Sequence, residues 1–293
     1  MTKWQRIEAT SFDEQIDQLY TLINEAEAIV VGTGAGMSAA GGFTYDGARF
    51  EENFPAFIEQ FGFLDMLHAA LYDFPTWETY WAFESKFILM NYFNKQPLST
   101  YQALVRLLSH KNYFIISTNA DNRYRLNNYA MDRIFQMQGE YGKLQCVNHC
   151  HNTLYEDEAL MWRMWDEQEN LEIPSELIPY CPKCGANLEM NKRDAVRGMV
   201  EDDHFIEQQQ RYHAFLHKHR SDRVLFLEIG VGFTTPQYIK RPFQAMTREN
   251  EQAQYVTLNR RNYALNADIR DRTSWLSDDI QLILHHLVQR LER

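Results

Sequence analysis

Cysteine is scarce in this chain: there are four residues in 293, all between Cys146 and Cys184. That is too few for a disulfide scaffold, and their clustering points to metal instead. Long apolar runs are also missing. The longest are broken by charge well short of the roughly 18 residues that a membrane-spanning helix needs, so no span is expected. The opening residues, Met1 to Thr10, lack the charged-then-apolar order of a secretory signal, which makes the cytoplasm the default expectation. Positive charge is in deficit, with 29 Lys and Arg against 40 Asp and Glu, a net of -11. Such a field repels phosphate backbones, and Arg123, Arg125, Arg260 and Arg261 are too few to override it, so nucleic acid is not an expected partner. No repeat or low-complexity tract occurs, which excludes a solenoid or a disordered tail. What is present is a globular chain, 45% hydrophobic, able to bury a sizeable core.

Ser11 followed by Glu14 reads as a capping box, and Phe12, Ile16, Leu19, Tyr20 and Ile23 recur at helical spacing to about Ala26. The β-branched run Ala28 to Val31 then stops at glycine, as a strand buried on both faces does. Tyr113 to Ser117, Ile134 to Met137, Val224 to Ile229 and Tyr255 to Leu258 are further runs of this kind. Helical patterns intervene, including Tyr101 to Leu108 after the expected cap Ser99, and Ile280 to Leu291. Strand alternating with helix predicts an α/β fold, a Rossmann-like parallel sheet with helices on both faces. Two segments interrupt it: an aromatic-rich helical stretch, Phe54 to Phe93, whose rings read as core, and the cysteine-bearing stretch Glu140 to Met199. The expected division is a nucleotide-binding domain of residues 1–45, 97–139 and 221–293, a helical module of 46–96, and a zinc-ribbon insertion with its return helix over 140–220. The last two are expected to form a smaller domain.

Cys181-Pro182-Lys183-Cys184-Gly185 is a strong zinc-knuckle signal. Its partner, Cys146-Val147-Asn148-His149-Cys150, has three intervening residues and offers His149 as an alternative ligand. The expectation is therefore one structural Zn²⁺ held by Cys146, Cys150, Cys181 and Cys184, with a three-cysteine site completed by His149 as the competitor. Gly32-Thr33-Gly34-Ala35-Gly36-Met37-Ser38 follows the first strand, where glycines permit a tight turn and let backbone N–H groups approach a diphosphate. An ordinary turn in an α/β protein reads the same way.

The order of motifs is more informative than any one of them. Gly34-Ala35-Gly36-Met37-Ser38, then Ser117-Thr118-Asn119-Ala120-Asp121, Gln138-Gly139, paired cysteines, Gly230-Val231-Gly232 and Leu258-Asn259 together resemble the sirtuin family over most of the chain. That family's deacylases carry a catalytic histidine where this chain has Gln138, and Ile-Pro-Asp-Phe-Arg where it has Phe43-Thr44-Tyr45-Asp46-Gly47. They also clamp acyl-lysine peptides with a pattern that Asn187 to Arg193 lacks. A glutamine at the histidine position is similar to the macrodomain-linked, class M sirtuins, which are protein ADP-ribosyltransferases acting on lipoylated carriers. Glutamine has no group to take the ribose hydroxyl proton that deacylation must move.

The resemblance implies that NAD is consumed as a substrate and assigns its contacts to Gly34, Ala35, Gly36, Ser38, Tyr45, Asn119, Asp121, Gln138, Gly230, Gly232 and Asn259. Asn119, Asp121, Gln138 and Arg193 are the expected catalytic residues. Asn119 and Asp121 would cradle the nicotinamide ribose, although the same residues alone read as an Asx turn. Gln138 would orient the ribose, and Arg193 would pair with a phosphate or an acidic acceptor unless it is a solvated charge. The implied acceptor is a lipoylated glycine-cleavage-H-like protein, with a macrodomain hydrolase and a lipoate ligase as functional neighbours. Lysine deacylation, NAD hydrolysis and NAD sensing are the alternatives.

Overall fold

The computed structural model describes residues 4–261 and 266–292. Residues 1–3, 262–265 and 293, which belong to the expected nucleotide-binding segments, lie outside the described residues. Eight strands form among the described residues: β1 Ala28–Thr33, β2 Tyr113–Ser117, β3 Ile134–Gln136, β4 Gly139–Cys146, β5 Leu188–Lys192, β6 Val224–Ile229, β7 Gln254–Leu258 and β8 Thr273–Leu276. Six make one sheet in the order β3-β2-β1-β6-β7-β8, with every neighbouring pair parallel. All residues of β1, β2, β3, β6 and β7 are buried, which is why these strands appear in the sequence as mostly apolar runs. Alternate side chains serve opposite faces. Ile29, Val31, Ile115, Leu225 and Leu227 pack against helices Phe12–Glu25, Ser99–Leu108 and Ile280–Leu291. Val30, Phe114, Ile116, Val224 and Phe226 meet helices Asp203–Lys218 and Lys240–Glu249.

Both interruptions contribute to a separate core. Phe54, Phe57, Trp81, Phe83 and Phe87 from the first pack with Leu144, Cys146, Met161, Met164 and Met190 from the second. Ring pairs run through it, Phe54 with Phe83 at 4.7 Å and Phe57 with Phe83 at 5.4 Å; such pairs are worth about 0.5–1.5 kcal/mol beyond their buried area. The antiparallel pair β4-β5 forms the spine of the cysteine segment. Among the described residues, no helix is long and apolar enough to cross a membrane.

Several local expectations need correction. Helix Asp203–Lys218, expected with the zinc segment, packs through Phe205 and Tyr212 on the main sheet. Ser11 starts its helix, but its hydroxyl donates to the Glu14 carboxylate at 2.7 Å, not into a reciprocal backbone box, and it makes no side-chain cap bond. Ser99 is the first helical residue with Leu98 at the cap position, and its hydroxyl accepts from Gln281. The edge strand β8 was not expected: Thr-Ser-Trp-Leu is short and has no apolar run.

Gly142 on β4 has no room for a side chain, because a Cβ there would lie 2.1 Å from Cε1 of buried Tyr92, whose hydroxyl donates to Glu140 at 2.9 Å. Gly142→Ala should destabilise the chain by about 1–3 kcal/mol, the usual penalty for overpacking. In a Tyr92→Ala background most of that penalty should vanish, so denaturant midpoints of the four proteins should show strong non-additivity.

Candidate active site

The expected site segments converge at the carboxyl ends of the parallel strands. Gly34–Gly36 follow β1, Thr118–Asn119 follow β2, Gln138 follows β3, Gly230–Gly232 follow β6 and Asn259 follows β7. The strand order reverses between β1 and β6, the place where open α/β sheets leave a ligand crevice. A cleft of two chambers lies there. The outer chamber, about 460 Å³, is lined by Ala35, Gly36, Gly230, Gly232, Asn259, Arg260, Arg261 and Asp279. The inner one, about 500 Å³, is lined by Gly34, Ala35, Tyr45, Asn119, Gln138, Tyr141, Lys192, Arg193 and Gly232 among others. Ala35 and Gly232 belong to both, so the chambers adjoin at these two residues. A larger groove of about 930 Å³ runs between helices Ser99–Leu108 and Ile280–Leu291; it meets the outer chamber at Asp279 and carries none of the expected site residues.

The glycines are required first by packing. A Cβ on Gly34 would sit 2.8 Å from Gly230 O, and one on Gly36 would sit 2.7 Å from Gly230 Cα. Gly36 N–H donates to Gly230 O at 2.9 Å and Gly34 N–H to Ile229 O at 3.1 Å. Those two amides are therefore bonded within the protein, contrary to the expectation that they face a diphosphate. Gly230 itself has φ +64, the left-handed region that favours glycine.

Asn119 lies 6% exposed on the inner chamber. Its Nδ2 donates to Gly34 O at 3.0 Å and to Tyr101 Oη at 3.0 Å. A carbonyl can only accept, so this sets the amide orientation and turns Oδ1 away from those partners. Ser38 and Asp121 are 2% and 3% exposed and line neither chamber. Ser38 Oγ donates to Asp121 Oδ2 at 2.6 Å and pairs with Tyr101 Oη at 2.8 Å. Direct cofactor contact was expected of both, and catalysis of Asp121; the geometry instead puts them behind the wall, supporting Asn119. Asn259 donates through Nδ2 to Val231 O at 2.9 Å and accepts Arg261 N–H at 3.1 Å.

Arg193 is neither solvated nor unengaged. Its Nε donates to Met137 O at 3.1 Å, and its Nη2 donates to Glu201 at 2.7 Å. Lys192 beside it bonds buried Glu84 at 3.0 Å and the Ala70 carbonyl. Tyr141 is a lining residue that sequence reasoning missed: its hydroxyl accepts from Tyr45 at 3.4 Å, and burial raises its pKa to about 12, so it stays a neutral donor. None of the thirteen aromatics Phe54, Phe57, Phe61, Phe63, Tyr72, Phe74, Trp77, Tyr80, Trp81, Phe83, Phe87, Tyr92 and Phe93 lines the inner chamber; its apolar mouth is Leu67, Ala70, Leu71 and Met190. His68 sits on that rim, exposed, accepting Leu64 N–H through Nδ1.

The sulfurs of Cys146, Cys150, Cys181 and Cys184 all lie within 4.8 Å of one another. Cys146 and Cys184 are 3.5 Å apart, and Cys150 and Cys181 3.6 Å, near the edges of roughly 3.8 Å in a zinc–thiolate tetrahedron. The donor set fits one structural zinc, with no position left open for chemistry. His149 is outside it: it absorbs the extra knuckle residue with φ +46, and its Nε2 meets Gln145 at 3.2 Å. His151 contacts Cys150 through Nδ1 at 3.0 Å and Tyr155 through Nε2 at 2.7 Å. Gly139 pairs with Lys192 at the chamber end of the hairpin and Cys146 with Leu188 at the other, so roughly 13 Å of strand separates metal from cleft.

A parallel sheet of this order, a cleft at its switch point and a zinc hairpin define the Sir2 fold. A solved Sir2 homologue in complex with NAD aligns with TM-score 0.63 at 16% identity, covering 98% of this chain and 97% of that one. A Sir2 bound to an acetylated peptide aligns with TM-score 0.60 at 14% identity, covering 94% and 98%. No family model matches the sequence. A protein ADP-ribosyltransferase of Staphylococcus aureus strain Mu50 is 51% identical over 271 residues, 92% of this chain and 86% of the relative. A probable bifunctional ADP-ribose hydrolase/ADP-ribosyltransferase of Fusarium oxysporum f. sp. cubense is 26% identical over 78% of this chain, which spans 39% of that protein. The chain belongs to the sirtuin-type protein ADP-ribosyltransferases, a family of NAD-dependent enzymes.

Two outcomes follow. Cys181→Ser should remove the single zinc and lower the thermal midpoint, whereas His149→Ala should keep the metal by elemental analysis; zinc lost from the His149 variant would restore the three-cysteine site. Burial raises the Asp121 carboxyl above its ordinary 3.8, while Ser38 and Arg123 pull it down. A raised carboxyl stabilises the fold most when protonated, and that contribution is lost as pH rises through the raised value. Asp121→Asn should therefore gain on the wild type in unfolding midpoint as pH climbs from about 4. A midpoint difference independent of pH would contradict the raised value.

Proposed function

We propose that this chain transfers ADP-ribose from NAD to a protein acceptor and releases nicotinamide. The observation that carries this reading is Gln138, which lines the inner chamber with Asn119 where a deacylase needs a base. Both reactions begin by weakening the bond between nicotinamide and ribose. Asn119, with Nδ2 committed to the Gly34 carbonyl, offers Oδ1 as an acceptor, the polarity that stabilises a developing sugar cation. Deacylation then needs proton removal from a ribose hydroxyl. Gln138 cannot supply that, and the rim imidazole of His68 is tied to Leu64. Transfer needs only an oriented nucleophile to capture the sugar carbon. Arg193 and Lys192 border the chamber, but each is paired inside the protein, with Glu201 and Glu84, so they shape its wall and leave the nucleophile to the acceptor.

The acceptor we favour is a lipoylated glycine-cleavage-H-like carrier in the cytoplasm, with a macrodomain hydrolase and a lipoate ligase as functional neighbours. The aliphatic mouth of Leu67, Leu71 and Met190 supports an apolar arm entering there. Asp121 and Ser38 act through Asn119, and Gly34, Ala35, Gly36, Tyr45, Gly230, Gly232 and Asn259 line the dinucleotide path.

Incubation with NAD labelled in its adenylate half, together with lipoylated carrier, should leave label covalently on the carrier and release no acyl groups from acyl-lysine peptides. Label only in free ADP-ribose would assign hydrolysis, unchanged NAD would assign sensing, and brisk deacylation would overturn the transferase reading. Asn119→Ala should cut nicotinamide release by about 10²- to 10³-fold. Gln138→Ala should weaken transfer, and Gln138→His should still fail as a deacylase.

A further inference from the structure

The segment Phe43–Gly47 carries Tyr45 into the inner chamber, and it crosses from the Rossmann core to the aromatic module. Phe43 is buried in the first core, with its N–H bonded to Ser38 O at 3.0 Å. Two residues later, Tyr45 O accepts Met66 N–H at 2.8 Å and the Tyr45 ring stacks on Phe87. Two guanidinium groups lie over the Phe43 ring, Arg49 at 4.6 Å from its centroid and Arg123 at 4.1 Å. Arg49 donates to Thr44 O at 2.8 Å, Asn91 Oδ1 at 2.9 Å and Met90 O at 3.0 Å. Arg123, fully buried two residues after Asp121, donates to Gln96 O at 2.6 Å and Asn91 O at 3.1 Å.

Both arginines therefore meet at Asn91. That residue lies in a single turn of π-helix, Leu89–Phe93, which ends helix Trp77–Ile88. The last carbonyls of a helix have no partner within it, and a π turn alters the bonding further. Here Met90 O is satisfied by Arg49 from within the module, and Asn91 O by Arg123 from the other side of the module boundary. Asn91 Nδ2 donates back to Phe87 O at 2.9 Å, which holds its Oδ1 toward Arg49.

We propose that Arg49 and Arg123, meeting at Asn91 and gripping Phe43, are positioning residues that hold the Tyr45 segment across the seam between the two cores and so set the shape of the inner chamber. Neither arginine lines a chamber, so each acts through the segment it holds. Like charges this close tolerate one another because the ring face and the carbonyls lie between and around them, and Asp121 stands near Arg123 as a counter-charge. Lysine cannot substitute, since a single ammonium cannot reach three acceptors while stacking on a ring.

The proposal rests on the transferase reading, and the test separates the two. Arg49→Lys, Phe43→Leu and Asn91→Leu should each lower kcat for nicotinamide release by about ten- to a hundredfold, the cost of a misplaced reacting group. Zinc content should remain at one. Hydrogen exchange at the amides of Thr44, Tyr45 and Met66 should accelerate in all three variants, with the central strands β1 and β6 unchanged. Asn91→Asp, which keeps the acceptor for Arg49 but loses the donor to Phe87 O, should fall between Asn91→Leu and the wild type in kcat. Wild-type kcat and unaltered exchange in the Arg49 and Phe43 variants would overturn the clamp. Uniformly accelerated exchange across the sheet would reduce it to a global stability effect and overturn the positioning role. Local acceleration in the variants of a wild type that releases no nicotinamide would leave the clamp standing and remove the transferase reading.

Discussion

The constraint on which the site depends is the approach of two turns at the switch point of the sheet. Gly34 and Gly36 meet Gly230 with no space for a Cβ on any of them, and a backbone bond from Gly36 N–H to Gly230 O ties them. Because β1 and β6 are hydrogen-bonded neighbours whose connections leave in opposite directions, the chain must turn sharply on both sides at once. Bulk at either turn would push the two apart and displace the walls of the cleft that they border. Every other feature of the site is placed relative to this contact: Asn119 bonds the Gly34 carbonyl, Asn259 bonds the Val231 carbonyl, and Gly232 borders both chambers.

Behind that contact sits a polar cluster in an otherwise apolar wall. Ser38, Tyr101, Asn119 and Asp121 satisfy one another at hydrogen-bond distance, and the cluster continues through Arg123 to the module carbonyls. Buried polar groups of this kind are costly unless paired, and when paired they accept few alternative arrangements. A reaction whose rate depends on holding a ribose in one orientation benefits from that rigidity.

The second core supplies reach. The hairpin β4-β5 starts beside Gln138 and ends among the cysteines, so the metal anchors the far end of an element whose near end borders the chamber. Lys192 links that hairpin to Glu84 and Ala70 of the helical module. Zinc in this arrangement contributes to folding and to the position of the chamber wall, and not to bond making.

The sequence alone determined the central strands, because residues buried on both faces of a parallel sheet leave mostly apolar runs that need no partner to be recognised. It also determined the cysteine set and the order of the site segments, since knuckle spacing and motif order are local. It could not locate β8, whose four residues become a strand only by pairing with β7, nor choose between His149 and a fourth thiolate, which depends on where the hairpin points. It put Ser38 and Asp121 on the cofactor, although they face inward, because a motif names neighbours along the chain and says nothing of which side chains face the cleft. Tyr141, Lys192 and the Phe43 clamp were invisible for the same reason: their partners lie far along the chain, from Arg49 to Asn91 and from Lys192 to Glu84. Tertiary structure decided these contacts, because long-range packing and the satisfaction of buried polar groups are properties of the folded arrangement that no local pattern encodes.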